Sequence, residues 1–404
     1  MAEVKFEVHE TGVIRSVREC VLRVDGLPSA INGQLVELKQ AGKGLITGFS
    51  EKDVSLLILT SKAPLRTGDE VFSKGEFLRL PVGEAFLGRV VSALGEPVDN
   101  RGPILSSDFY PVFRDAAEVM DRVPLKETLE TGTLLINAVI PIAKGQRQLL
   151  IGDRLTGKTT VAMDAILNQK GKDVICIYCS IGKTHSSLNK IIGLLCRRQA
   201  MDYTIVVNAV ASASMGEQYL APYTAAMLGE YFMYKGKDVL VVFDDLTRHA
   251  WVYRQICLLL ERTPGREAYP GDIFYIHSQL MERAAHLKPE LGSGSMTFFP
   301  IAEILQGDVT GYVSSNLISM TDGQIYFNTT LFNKGIKPAI DFGLSVSRIG
   351  NKAQWPAMKA LSEKLKLEYI QYQELLQMTQ LRTTGLSKEA EQRMKRGQVV
   401  TQLL

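Results

Sequence analysis

The sequence predicts an α/β protein in three parts. These are a small N-terminal β-barrel over residues 1–77, a central α/β domain over 78–355, and a helical segment over 356–404. Three observations predict it. Short β-rich runs recur at even spacing at the start. Strand and helix patterns then alternate from Val82 to roughly residue 330. Beyond Gln354, apolar residues recur at helical spacing.

The barrel runs lie at 13–17, 21–24, 33–38, 44–49, 54–59 and 70–72. Turn segments such as Asp25-Gly26-Leu27-Pro28 and Thr67-Gly68-Asp69 separate them. In the central domain, 149–151, 174–180 and 239–243 are continuous apolar runs, as parallel strands buried on both faces require. At the end, Met358, Leu361, Leu365 and the run 367–370 repeat at helical intervals with Glu and Lys between them.

Bulk properties exclude several classes. Of 404 residues, 46% are hydrophobic and 22% charged, an ordinary globular composition. A net charge of +3, from 46 basic and 43 acidic residues, is too small for a protein built to neutralise nucleic-acid phosphates. No apolar run reaches the length of a membrane span. The start, Met1-Ala2-Glu3-Val4-Lys5, has neither a secretory nor a transit pattern. Cys20, Cys176, Cys179, Cys196 and Cys257 are odd in number and widely spaced, which suits reduced thiols.

The chemistry concentrates at Gly152-Asp153-Arg154-Leu155-Thr156-Gly157-Lys158-Thr159, a G-x-x-x-x-G-K-[ST] loop. The apolar run 149–151 precedes it, and a helix is expected from about Thr160. The glycines let the backbone turn tightly and aim its N–H groups at phosphate oxygens. The helix N-terminus adds a favourable dipole. Lys158 supplies a point charge for the β- and γ-phosphates, and the Thr159 hydroxyl is a Mg²⁺ ligand. The expected ligand is therefore ATP with Mg²⁺ on a P-loop domain of RecA-like type. A second signal is the apolar run ending in Asp244-Asp245, which places Asp244 in the ligand crevice as a Mg²⁺ partner. The plainer alternative is that the two aspartates cap the next helix.

Hydrolysis needs a residue that orients the attacking water. The loop Ile181-Gly182-Lys183-Thr184-His185-Ser186-Ser187 holds no carboxylate, and a lysine is a poor base at neutral pH. His185 is either a proton acceptor or a polar residue ahead of a helix capped at Ser186. Cys176 and Cys179 form C-x-x-C, but on a strand residues three apart face opposite sides. No metal or redox site is expected there.

Together these motifs resemble the alpha subunit of F-type ATP synthases. Its GQR…GDRxTGKT wording is matched from Gly145-Gln146-Arg147 through Thr159. Further blocks are Asp244-Asp245-Leu246 with Tyr253-Arg254-Gln255, and Pro264-Gly265-Arg266-Glu267-Ala268-Tyr269-Pro270-Gly271-Asp272. Gln306-Gly307-Asp308-Val309, Ile318-Ser319-Met320-Thr321-Asp322-Gly323-Gln324-Ile325 and Leu344-Ser345-Val346-Ser347-Arg348-Ile349-Gly350 match too. The resemblance runs from about residue 10 to the end. It implies a non-catalytic subunit that binds Mg-ATP and alternates with three beta subunits around a central gamma stalk. A peripheral stalk with delta would adjoin it. The membrane would be met only through the complex, on the cytoplasmic face of a bacterial plasma membrane. Arg348 would be an arginine finger for the beta site, and Ser345 matches a position the family requires for activity. Judged against the family's usual length, the C-terminal helical domain is partial and the N-terminal helix missing. Lys183-Thr184 stands where the family's alpha has Gln-Lys and its catalytic beta has Glu at the first position. Two other readings stay open: a catalytic homohexameric ATPase of secretion or RNA-translocase type, and a truncated paralog in another assembly.

Overall fold

The computed structural model describes residues 10–381 and 388–403. Residues 1–9, where the targeting pattern was sought, and Leu404 lie outside the described residues. The three-part architecture is as the sequence predicts: barrel, α/β domain and helical C-terminal segment.

Six strands form the barrel: β1 Glu10–Arg18, β2 Val21–Gly26, β3 Gln34–Leu38, β4 Gly42–Phe49, β5 Val54–Thr60 and β6 Glu70–Phe77. Their order is β1-β2-β5-β4-β3-β6, and β6 pairs back onto β1. Closure leaves no open edge. Alternate residues point inward, so Ile14, Leu22, Val24, Val36, Ile46, Leu56 and Val71 fill the interior.

The α/β domain carries β7 Val90–Ser92, β8 Gln148–Gly152, α1 Lys158–Leu167, β9 Val174–Ile181, α2 His185–Arg197 and β10 Thr204–Ala209. Then come α3 Met215–Tyr234, β11 Asp238–Asp244, α4 Leu246–Leu259, β12 Ser295–Glu303, β13 Gly323–Phe327 and β14 Ile340–Ser347. The sheet runs β14-β13-β8-β12-β11-β9-β10-β7, with the two-residue strand Ala285–His286 paired onto β12. All neighbours along that path are parallel except β13 and β14. Two hydrophobic cores cover its two faces. Every residue of β9 is buried. Cys179 belongs to one core and Cys176 to the other, so the two thiols face opposite sides as strand geometry requires.

The barrel sits on the α/β domain through β5. Ser214 Oγ donates to the Leu59 carbonyl at 2.5 Å while accepting from Glu217 N–H as the cap of α3. Arg262 Nη2 donates to the Thr47 carbonyl at 2.7 Å. The chain closes with α5 Pro356–Leu381 and α6 Lys388–Leu403. Gln354 Nε2 donates to the Ala138 carbonyl, and the ring of Tyr369 on α5 packs at a tilt of 45° against Phe342, centroids 4.1 Å apart.

Candidate functional site

The glycine loop leaves β8 at Gly152 and enters α1 at Lys158, two residues earlier than the sequence suggests. Gly157, the N-cap, adopts φ +99, so the loop turns straight into the helix. At Gly152 a Cβ would lie 2.5 Å from the Phe327 carbonyl oxygen on neighbouring β13, so no larger residue fits there. Asp153 pins the loop from behind: its carboxylate accepts from Gly307 N–H at 3.1 Å and from Thr329 Oγ1 at 2.7 Å. Arg154 Nε donates to Glu303 at 2.8 Å, and Thr156 Oγ1 donates to the Asp153 carbonyl. Lys158 Nζ donates to the loop's own carbonyls at Gly152 and Asp153. Burial pushes this ammonium below the usual lysine range, against the opposing pull of Glu303, Asp245 and Asp244.

A cavity of about 760 Å³ opens in front of the loop. Of the residues expected at the site, Leu155, Thr156, Gly157, Lys158, Thr159 and Asp244 line it. Gly152, Asp153 and Arg154 shape and anchor the loop without lining the cavity. The far wall is partly apolar, with Val161, Phe332 and Pro338. Glu303 also lines the cavity, because β12 lies between β8 and β11 in the sheet and ends there. The sequence gives these wall residues no motif.

Asp244 ends β11, opposite Ser180 of β9. One of its oxygens, Oδ2, accepts from Thr159 Oγ1 at 2.8 Å and from Tyr178 OH at 2.8 Å. It also takes the Lys183 ammonium at 2.6 Å. Lys183 Nζ donates to Thr159 Oγ1 at 3.2 Å as well. Thr159 hydroxyl and Asp244 carboxylate are hard oxygen donors of the kind Mg²⁺ takes. In this arrangement, however, the threonine lone pair and the carboxylate oxygen already serve an internal cation. A unit positive charge ~3 Å from that ammonium would be opposed by about 5 kcal/mol at an effective dielectric of 20, and a dication by more. With Lys183 in this position, the residues do not fit a magnesium ion.

The neighbouring Asp245 is the N-cap of α4, accepting from Arg248 N–H at 2.8 Å. Arg248 Nε stands 3.3 Å from Asp245 Oδ2 but is not aligned for a hydrogen bond. Burial, then the charges of Asp244 and Glu303, push the Asp245 carboxyl up to about 7. The capping alternative therefore applies to Asp245, while Asp244 faces the cavity. The cap of α2 is Thr184, accepting from Ser187 N–H at 3.3 Å, not Ser186. His185 is the first helical residue and contacts Ser212 Oγ.

Ser345 and Arg348 lie elsewhere. Ser345 is buried, and its hydroxyl accepts from Tyr326 N–H at 2.9 Å where the β13–β14 register slips. Arg348 follows β14, and its N–H donates to the Asp322 carbonyl. Ser347 pairs with Gly323, and Gly323 with Gln148, at the start of β8. The glycine loop begins at the other end of β8, four residues on, about 13 Å along the strands. Arg348 is exposed, and its guanidinium has no ion pair among the described residues. Nearby, Arg147 grips Asp322 with two side-chain bonds, at 3.0 and 2.7 Å.

Comparison with known proteins places this geometry in context. The family described as ATP synthase alpha/beta family, nucleotide-binding domain, matches residues 132–347, and the ATP synthase alpha/beta chain, C terminal domain, matches 354–404. The ATP synthase subunit alpha of Clostridium acetobutylicum is 48% identical over 402 residues, covering 100% of this chain and 79% of that protein. That of Clostridium botulinum strain Hall is 48% identical over 399 residues, covering 99% and 79%. The chain belongs to the ATP synthase alpha/beta family, and the relatives it resembles there are alpha subunits of the ATP synthase complex.

Proposed function

We propose that the chain is an F-type alpha subunit that binds ATP in the cavity before Gly157–Thr159 without turning it over, and lends Arg348 to a neighbouring beta subunit. The observation that carries this reading is the division of labour along the sheet. The phosphate loop stands at the carboxyl end of β8, and the exposed Arg348 guanidinium belongs to the opposite end. An arginine so placed is remote from its own loop and suits a site on another chain. Its planar fork matches charge spread over phosphoryl oxygens. Ser345 acts as a positioning residue, fixing through Tyr326 the strand that carries Arg348.

In the cavity, the N-terminal amides of α1 and Lys158 meet the phosphates. Phe332 and Pro338 offer an apolar wall to the base. Three carboxylates line the cavity, and Asp164 sits on α1 six residues beyond Lys158, about 9 Å along the helix from the glycine loop. Glu303 is held by Arg154, and Asp244 by Lys183 and Thr159. With the Lys183 ammonium on Thr159 and Asp244, no magnesium ion is assigned to this cavity. The partners are beta subunits in an alternating ring, a central gamma stalk and a peripheral stalk with delta. No helix among the described residues is long and apolar enough to cross a membrane. In this reading, contact with a bacterial plasma membrane, on its cytoplasmic face, runs through the complex. The absence of a strong positive charge argues against nucleic acid as a partner.

The test is equilibrium binding of fluorescent ATP to the purified chain, with phosphate release followed in the same sample. Saturable binding, lost in Lys158→Ala, with no release above background is expected. Sustained phosphate release by the chain alone would favour a catalytic homohexamer instead.

A further inference from the structure

Lys183 lines the cavity, and the proposed function gives it no part in holding the nucleotide. It is not a loose surface lysine. Its carbonyl accepts from Ala211 N–H at 2.8 Å, and the preceding Gly182 N–H donates to the Ala209 carbonyl at 2.7 Å. The following residue, Thr184, is locked as the cap of α2. The backbone on both sides is therefore pinned to the loop after β10, and the side chain, 17% exposed, runs into the cavity. Its ammonium spans Asp244 Oδ2 at 2.6 Å and Thr159 Oγ1 at 3.2 Å. Those are the carboxylate and hydroxyl to which a P-loop assigns its divalent ion.

An ammonium has three N–H donors. Two are committed to Asp244 and Thr159. The third is left for an oxygen in the cavity, on the side where the loop amides and Lys158 gather the phosphates. We infer that Lys183 is a built-in replacement for the magnesium ion, so that this chain binds ATP free of divalent metal. The inference rests on the nucleotide-binding reading above. It adds that the ligand is the metal-free nucleotide, held by two lysines and a helix N-terminus.

The lysine also explains why neither donor is left short. Tyr178 OH supplies a further hydrogen bond to the same carboxylate oxygen at 2.8 Å, so Asp244 is satisfied without any metal. A neutral residue at position 183 would leave the carboxylate and the threonine lone pair facing the phosphates with no cation between them.

The experiment measures the affinity of the full chain for a fluorescent ATP analogue in excess MgCl₂ and in excess EDTA. Binding of Mn²⁺ to the nucleotide-loaded protein is followed by electron paramagnetic resonance. For the wild type, affinity should be at least about tenfold weaker in MgCl₂ than in EDTA, because Mg²⁺ in solution sequesters the free nucleotide that the site takes, with no protein-bound Mn²⁺ signal. Lys183→Gln should bind at least about tenfold more weakly in EDTA than in MgCl₂, and its ATP complex should hold Mn²⁺. A wild type that binds as tightly in MgCl₂ as in EDTA, or more tightly, or that binds Mn²⁺ with its nucleotide, overturns the inference and leaves the nucleotide-binding reading intact. Failure of the wild type to bind the analogue in either medium overturns both. If Lys183→Gln does not fold, the wild-type comparison and its Mn²⁺ spectrum decide alone.

Discussion

At the scale of single residues, the two adjacent aspartates show how one peptide step separates two roles. Asp244 ends a strand with its carboxylate facing the cavity, bound by Thr159, Tyr178 and Lys183. Asp245 turns into the core and caps α4. It is almost wholly buried, and its carboxyl is pushed from 3.8 up to about 7. That shift has a sign for stability. Below pH 3.8 both folded and unfolded states hold the proton, and Asp245 carries no penalty. As pH rises, the unfolded chain ionises first while the folded one keeps its proton. Stability falls across that window and the loss is complete above pH 7. Asp245→Asn keeps the cap, since Asn serves that position well, and removes the charge. Its denaturation midpoint should gain on the wild type between pH 4.5 and pH 8, by roughly 2–4 kcal/mol. A constant difference across that range would show that Asp245 is ionised throughout. The apolar run placed Asp244 in the crevice and offered capping for both aspartates; that Asp245 alone caps, and is buried, was not legible in the sequence. The same holds for Lys183. Its departure from the family wording is visible in the sequence, but its contact with Asp244 joins segments 61 residues apart, and no spacing rule reports such a contact.

At the scale of elements, legibility followed periodicity. All six barrel strands were readable because each alternates between an apolar interior and a solvent face, between turn residues that only certain backbones tolerate. The strands ending at Gly152 and Asp244 were readable because parallel strands buried on both faces are continuously apolar. Boundaries were less legible. The start of α1 moved to Lys158 because Gly157 takes a left-handed conformation, which the sequence permits but does not require. The cap of α2 fell on Thr184 because its hydroxyl, not that of Ser186, reaches an orphan amide of the first turn. The walls of the cavity, Glu303 at the end of β12, Phe332 on a short helix and Pro338 in the loop before β14, were not legible at all. Element contacts also set a specific constraint on α3. A Cβ at Gly216 would lie 2.2 Å from the Ile58 carbonyl of β5, so helix and barrel strand touch through a bare backbone. Gly216→Ala must push them apart. The expected loss is about 1–3 kcal/mol in denaturant titration, the usual range for an overpacked contact. A midpoint equal to that of the wild type would mean that barrel and α/β domain are not held at this spacing.

At the scale of the whole molecule, the sheet holds the proposed nucleotide site and Arg348 at opposite ends. The phosphate loop, Asp244 and Lys183 gather at the carboxyl ends of the parallel strands, where α/β sheets hold ligands. Arg348 is delivered to the opposite end because β14 runs antiparallel to β13 at the sheet edge. Ser345 ties that edge strand to Tyr326, and Arg147 ties Asp322, the residue whose carbonyl receives Arg348 N–H. The exposed guanidinium is therefore set on a firm edge, yet out of reach of its own loop. The measurement that tests the central claim most directly is ATP turnover by the complex assembled from this chain with beta and gamma subunits, comparing wild type with Arg348→Lys, while nucleotide binding is followed in parallel. Turnover should fall by about 10³-fold or more with binding retained, because a point charge cannot replace the fork at a phosphoryl transition state. Unchanged turnover would contradict the assignment of Arg348 to a neighbouring site.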